Sequence, residues 1–303
     1  MFKSIRIYSI APDWRAPTPA ALEPALKKHA FAPLGATEKE SIGWVSPRPQ
    51  EHSPLIEAIG GHWIFKIQTE RKSVPGGVLK KAVEARCKKI EEDTGRKVGR
   101  KEKKELKEEI ELDLLPRAFS KTAATLVWLD PKNHRLIVGT SSQRAADDVV
   151  AKLIETTQDA GCLIPLTHLQ TERSPSAAMS QWLLDKDAPT GFTLDRDLEL
   201  RQLDEQKSVV RYARHNLEID EVVEHVKSGK VPTQVAMTWD SRVSFVLCAD
   251  LSIKKIELLE DVFSDMSEDD FGFDGDVSIA TGELSKLLPD LVEALGGELR
   301  IED

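Results

Sequence analysis

Apolar and polar positions alternate in SIRIYSI, residues 4–10, and again from Trp63 through Phe65 and Ile67 in HWIFKIQTE; both stretches read as strands. Between them, TPAALEPALKKHAF has helical spacing and a helix entry at Thr18 and Pro19. The following GWVSPRPQEHSP is rich in turn formers and reads as loop. After VPGG the period changes. Two helices are predicted, roughly Val78 to Asp93 and Lys101 to Leu115, around the turn-like TGRKVGR. Leu79, Val83, Arg86 and Ile90 mark the stripe of the first, and Leu106, Ile110 and Leu114 that of the second. Such narrow stripes suit two helices packed on each other as an antiparallel hairpin, ended by Pro116.

Beyond the hairpin, ATLVWLD and RLIVGT form a strand pair around PKNH, and SSQRAADDVVAKLIETTQDAG is a helix with a serine N-cap and Gly161 as its stop. SAAMSQWLLD is a shorter helix. GFTLDRDLELRQL and SVVRYARHN read as strands, and IDEVVEHVKSGK as a helix. VPTQVAMTWDSRVSFVLCADLSIKKIELLE reads as a three-stranded meander, and TGELSKLLPDLVEALGG as a final amphipathic helix. The expected class is α+β, with the helical hairpin projecting as an arm. The expected regions are a central α/β part in two segments, 1–74 and 119–170, the arm at 75–118, and a base at 171–303.

Length and composition change little in this picture. A chain of 303 residues, 40% hydrophobic and 31% charged, is an ordinary globular protein with two or three structural units. No apolar run is long enough for a membrane-spanning helix, and MFKSIRIYSIAPDW carries no secretory pattern, so a cytoplasmic protein is expected. Cys87, Cys162 and Cys248 form no CxxC pair and are expected to be reduced, two of them buried.

Charge changes it more. The chain has 51 acidic and 42 basic residues, a formal charge of -9. Yet residues 71–121 hold 16 Lys+Arg against 10 Asp+Glu, leaving 26 against 41 elsewhere. RKVGRKEKKELK, residues 96–107, alone has seven basic and two acidic residues. One account is a solvated face in which Glu105 and Glu109 pair with Lys101 and Lys104. Against it stands the clustering at a hairpin tip in an acidic chain, which suits a phosphate backbone. No aromatic residue interleaves with the lysines and no recognition-helix pattern occurs, so any contact with DNA would be independent of sequence. Candidate contacts are Lys72, Arg86, Lys89, Arg96, Lys97, Arg100, Lys101, Lys103, Lys104, Lys107 and Arg117. Arg211 and Arg214, beside His215, form a smaller second cluster that would extend the patch if its strand shared a cavity with the arm.

Catalytic patterns are missing. There is no phosphate-binding glycine loop, no G-x-S-x-G elbow and no zinc spacing among the seven histidines. Asp270-Phe271-Gly272 matches a kinase tripeptide without its companions. Asp269, Asp270, Asp274 and Asp276 could serve a metal-dependent DNA-processing enzyme, but a solvated acidic loop beside Phe271 and Phe273 is the preferred reading. Neither cofactor nor metal is expected. A third reading, without DNA, is a scaffold whose arm grips an acidic protein.

LLPRAFSK, residues 114–121, after the two basic helices, resembles the bacterial RdgC family of recombination-associated proteins. The resemblance extends over nearly the whole chain, through FAPLGATEKESIGWVSP, VAMTWDSRVSFVLCAD and TGELSKLLPDLVEALGGE. Ser46 and Leu34 depart from the proline and cysteine common there. The resemblance implies a non-enzymatic protein that binds double- and single-stranded DNA without sequence preference. It implies a horseshoe-shaped monomer with tip, central and base regions, closing as a homodimeric ring around duplex DNA. It implies restraint of RecA-mediated recombination by occupancy of DNA, and a place on the nucleoid. Phe119 of PRAFS then corresponds to the aromatic residue at the tip contact that closes the ring; as an alternative, it is a core residue beneath the arm.

Overall fold

In the computed structural model, residues 1–50, 52–203, 208–264 and 272–299 are described. They form, in chain order, β1 (Ser4–Ile10), α1 (Pro19–Lys28), β2 (Glu40–Val45), β3 (Ile56–Ile59), β4 (His62–Lys72), α2 (Gly76–Thr94), α3 (Arg100–Leu114), β5 (Ser120–Asp130), β6 (Arg135–Val138) and α4 (Gln143–Asp159). There follow β7 (Leu166–His168), α5 (Pro175–Asp185), β8 (Phe192–Gln202), β9 (Val209–Tyr212), α6 (Asp220–Lys227), β10 (Lys230–Trp239), β11 (Val243–Cys248), β12 (Ile253–Leu258) and α7 (Phe273–Ala294). The expected α+β class holds: all the strand pairings are antiparallel, in the order β2-β4-β5-β6-β1-β12-β11-β10-β8-β9, with β3 added to β4 and β7 to β1.

Strand β1 joins the two halves of this sheet. Ser4 and Ile5 pair with β12, while Arg6 to Ser9 pair with β6. Helices α1 and α4 cover one face of the N-terminal half, over Trp44, Phe65, Ile67, Val127 and Leu136. The opposite face, carrying Ile7, Ile64, Trp128 and Ile137, merges with the core that α5, α6 and α7 make on β8, β10 and β11. Burial on both faces explains why WIF, LVWL and LIV are continuous apolar runs rather than alternations.

Two strands lie inside the stretch expected to be loop or beside it. In β2, Gly43 is required because a Cβ there would overlap the backbone of Phe31, whose chain runs alongside. Strand β3 returns into β4 through Gly60 and Gly61, both at positive φ (59° and 86°), a glycine pair that is itself a hairpin signal. Of the three cysteines only Cys248 is buried; Cys87, on α2, and Cys162, in the loop after α4, are half-buried.

Strands β4 and β5 pair over ten residues, from Trp63 opposite Leu129 to Lys72 opposite Ser120. The helical hairpin is attached at that far end. Ser120 to Ala124 are exposed, so this part of the ribbon has left the core. The hairpin buries Leu79, Val83, Leu106 and Leu115, none of which belongs to the main cores. Gly95, left-handed at φ 69°, stops α2 and donates its N–H to the Glu91 carbonyl at 2.9 Å.

Candidate nucleic-acid interface

Arg86 interrupts the expected apolar stripe of α2: it is exposed, while Ile90 and Cys87 are half-buried. A guanidinium cannot be desolvated in so thin a core without a partner, so it turns outward. On α3 the residues separate by face. Arg100, Lys103 and Lys107 follow the i, i+3, i+7 rule along one flank, and Glu102, Glu105 and Glu109 do so along the other. Lys103 and Lys107 share a groove of about 360 Å3 with Lys80 of α2, over Leu79 and Val83. Lys101 and Lys104 point away from the buried Leu106.

Partners decide which of these cations are free. Arg96 is held in a fork by Glu102, with hydrogen bonds of 2.7 and 2.8 Å. That contact raises the guanidinium pKa and lowers that of the carboxyl. Lys104 comes only to 4.0 Å from Glu108, the neighbour one turn on, rather than pairing with Glu105 or Glu109. Lys97, Arg100, Lys101, Lys103 and Lys107 are exposed and make no ion pair among the described residues; nor do Arg86, Lys89 and Arg117. Lys72 is different: its ammonium donates to the carbonyls of Gly35 (2.7 Å) and Ala36 (3.2 Å). It anchors the loop before β2.

Phe119 is 92% exposed, at the junction of the hairpin and β5, so the core alternative for it is overturned. A phenylalanine ring left almost wholly in water gains nothing from burial within this chain.

In the second cluster Arg211 is paired, whereas the exposed Arg214 side chain makes no ion pair among the described residues. Arg211 on β9 faces Glu199 on β8 across the strand pair and donates to it at 2.7 Å. Arg201 (2.8 Å) and the Thr233 hydroxyl (2.8 Å) complete the carboxylate's ligands. Burial pushes the Glu199 carboxyl up, but the hydrogen bonds from Arg211, Thr233 and Arg201 outweigh it and hold the pKa at about 2. Arg214 takes a left-handed conformation (φ 56°), and its backbone N–H donates to Asp197, which Lys255 approaches at 3.4 Å. Sequence reading counted the arginines here and missed Glu199, Asp197 and Asp195, because neighbours across strands are distant along the chain.

The acidic stretch offers no metal centre among the described residues, where no group of three His, Cys, Asp or Glu side chains could hold an ion. Asp274 pairs with Arg48, which also binds Glu57. Asp276 lies in the first turn of α7, and Asp269 and Asp270 are outside the described residues. No described helix is long and apolar enough to cross a membrane.

Comparison with known proteins adds the family. A family profile described as "Putative exonuclease, RdgC" matches residues 1–298. The recombination-associated protein RdgC of Herminiimonas arsenicoxydans is 43% identical over 301 residues, 98% of each chain. That of Janthinobacterium sp. (strain Marseille) is 42% identical over 302 residues, again 98% of each. The Bordetella pertussis protein is 39% identical over 304 residues, 99% of each. With arm, PRAFS junction and both halves of the sheet inside one continuous match, the chain belongs to the RdgC family of recombination-associated proteins.

Proposed function

We propose that this chain is a DNA-binding protein without catalytic activity. In this reading two copies close as a ring around duplex DNA, and the protein also holds single strands. The observation that carries the reading is the row of unpaired, exposed cations on the arm, Arg100, Lys103 and Lys107 with Lys97 and Lys101 beside them. Each phosphate they neutralise releases counterions, which gives affinity without sequence preference. Phe119 is the tip contact between copies, its exposed ring supplying the apolar anchor of a two-fold interface. Occupancy of DNA then limits what RecA can reach, and places the protein on the nucleoid. The alternative is the nuclease activity that the family description names; a metal-dependent form of it would draw on Asp269, Asp270, Asp274 and Asp276, of which Asp274 pairs with Arg48.

The test is fluorescence anisotropy of a random 30-mer duplex across several salt concentrations, with a plasmid-nicking assay in magnesium alongside. A variant with Arg96, Lys97, Arg100, Lys101, Lys103 and Lys104 changed to Gln should lose affinity, and its slope of log affinity against log salt should flatten by several units, about 0.9 per lost phosphate contact. Equal slopes in both proteins would place the DNA surface elsewhere. Metal-dependent nicking by the pure protein would restore the enzyme reading.

A further inference from the structure

Asp130, at the end of β5, is 2% exposed, and among the described residues its carboxylate has no Lys or Arg partner. Its hydrogen-bond donors are the backbone N–H (3.2 Å) and side-chain amide (2.7 Å) of Asn133. His62 approaches with Nδ1 at 3.7 Å, but that nitrogen accepts the Trp128 indole N–H at 3.1 Å. An indole can only donate, so Nδ1 is the acceptor in that hydrogen bond and does not donate to Asp130. His62 therefore does not neutralise Asp130. Arg135 does not either, because it is bound to Glu298 and Ser9. A carboxylate this deep without a counter-cation is rare, since buried charges are normally paired.

Asp130 lines a cavity of about 470 Å3 between the N-terminal half of the sheet and the last turns of α7. Its apolar walls are Ile7, Trp128, Ile137, Leu169, Leu288 and Val292. Pro289 and Ser285 line it too, and Pro289 breaks the helix ladder: it has no N–H, so the Ser285 carbonyl lacks its i+4 donor. Glu293 adds a second carboxylate. Arg135 and Asn133 line it as well, but the guanidinium is bound to Glu298 and the amide to Asp130, so the two carboxylates face one cation that is already paired.

We propose that this cavity binds a small amphipathic cation, an amine or guanidinium on an aromatic or aliphatic body. The cationic group pairs with Asp130, and the body fills the space beside Trp128. The volume lies in the range that holds small organic ligands. A metal ion fits poorly, because a single buried carboxylate among apolar walls does not supply a coordination sphere. The site is independent of the arm and of DNA.

The experiment is a titration of the full-length protein with tryptamine and, separately, with indole-3-propionate, followed by ligand-observed saturation-transfer NMR and calorimetry. The two probes share the ring and differ in the sign of the charge. Tryptamine should bind saturably and at least about tenfold more tightly than the propionate. Val292→Trp, which fills the cavity, should abolish binding of both while retaining the wild-type circular dichroism. Asp130→Asn should remove the preference for the amine. Asp130 also anchors the β5–β6 turn, so if that variant does not fold, the probe comparison and Val292→Trp still decide. Equal affinity for both probes, no saturable tryptamine binding, or undiminished binding in Val292→Trp would overturn the proposal.

Discussion

Glu199 is nearly buried yet ionised, because two arginines and a hydroxyl converge on it. Its carboxyl titrates near 2 in the folded protein against an ordinary 4.5. A depressed carboxyl contributes stability that is fully present above the unfolded pKa and is lost as the pH falls through the folded one. Glu199 therefore stabilises the fold at pH 5 and above, and that contribution declines between about 4.5 and about 2. Glu199→Gln should lower stability at pH 7 by about 2 kcal/mol, and the difference from wild type should shrink as acid is added. Urea melts at pH 7 and pH 3 measure this; an unchanged gap at the two pH values would show that packing, rather than charge, makes Glu199 matter. Gly43 acts on the same scale through space instead of charge. Gly43→Ala should cost about 2 kcal/mol in the same melts, because the Phe31 backbone must move.

At the scale of the element, α3 is a two-sided helix whose sides have opposite charge. The net positive charge of the arm does not predict which side meets a polyanion; the i, i+3, i+7 rows do. Changing Arg100, Lys103 and Lys107 to Gln should flatten the salt slope for DNA by about three units. Changing Glu102, Glu105 and Glu109 to Gln should leave the slope unchanged or steepen it. Weakening by the second variant would mean that the acidic row touches the ligand side. The hairpin also has its own small core, so Leu106→Ala should speed amide exchange across residues 76–114 while the melting temperature of the β-sheet barely moves.

At the scale of the molecule, the arm is an insertion into a continuous ribbon. Lys72 and Ser120 are paired neighbours, so a short glycine-containing turn can replace residues 75–118 without breaking the sheet. That replacement should fold and melt like the parent, and, if the arm is the proposed DNA clamp, bind DNA far more weakly than the parent. Phe119→Ser should leave the monomer intact, since its side chain is not in either core. If two copies close as proposed, sedimentation velocity should show weaker association in this variant; unaltered association would remove Phe119 from the proposed contact.

Most of the elements, though not β2, β3 and β7, were legible in the chain because local rules govern them. The Thr18, Ser142 and Ser174 caps, the Gly95 and Gly161 stops and the helical periods require only near neighbours. The α+β class, the two arm helices and the excess of positive charge at their tip follow from those rules and from counting. Only the tertiary structure decided the rest. It made Gly43 part of a strand by laying Phe31 beside it, although a glycine just before the turn-forming run SPRPQEHSP reads as loop. It bound Lys72 to two carbonyls, Arg96 to Glu102 and Arg211 to Glu199, leaving Arg100, Lys103 and Lys107 free. It exposed Phe119, and it buried Asp130 with no Lys or Arg partner among the described residues. The physical reason is common to all of these: charge and periodicity are properties of residues, whereas pairing and burial depend on which distant segment arrives beside them.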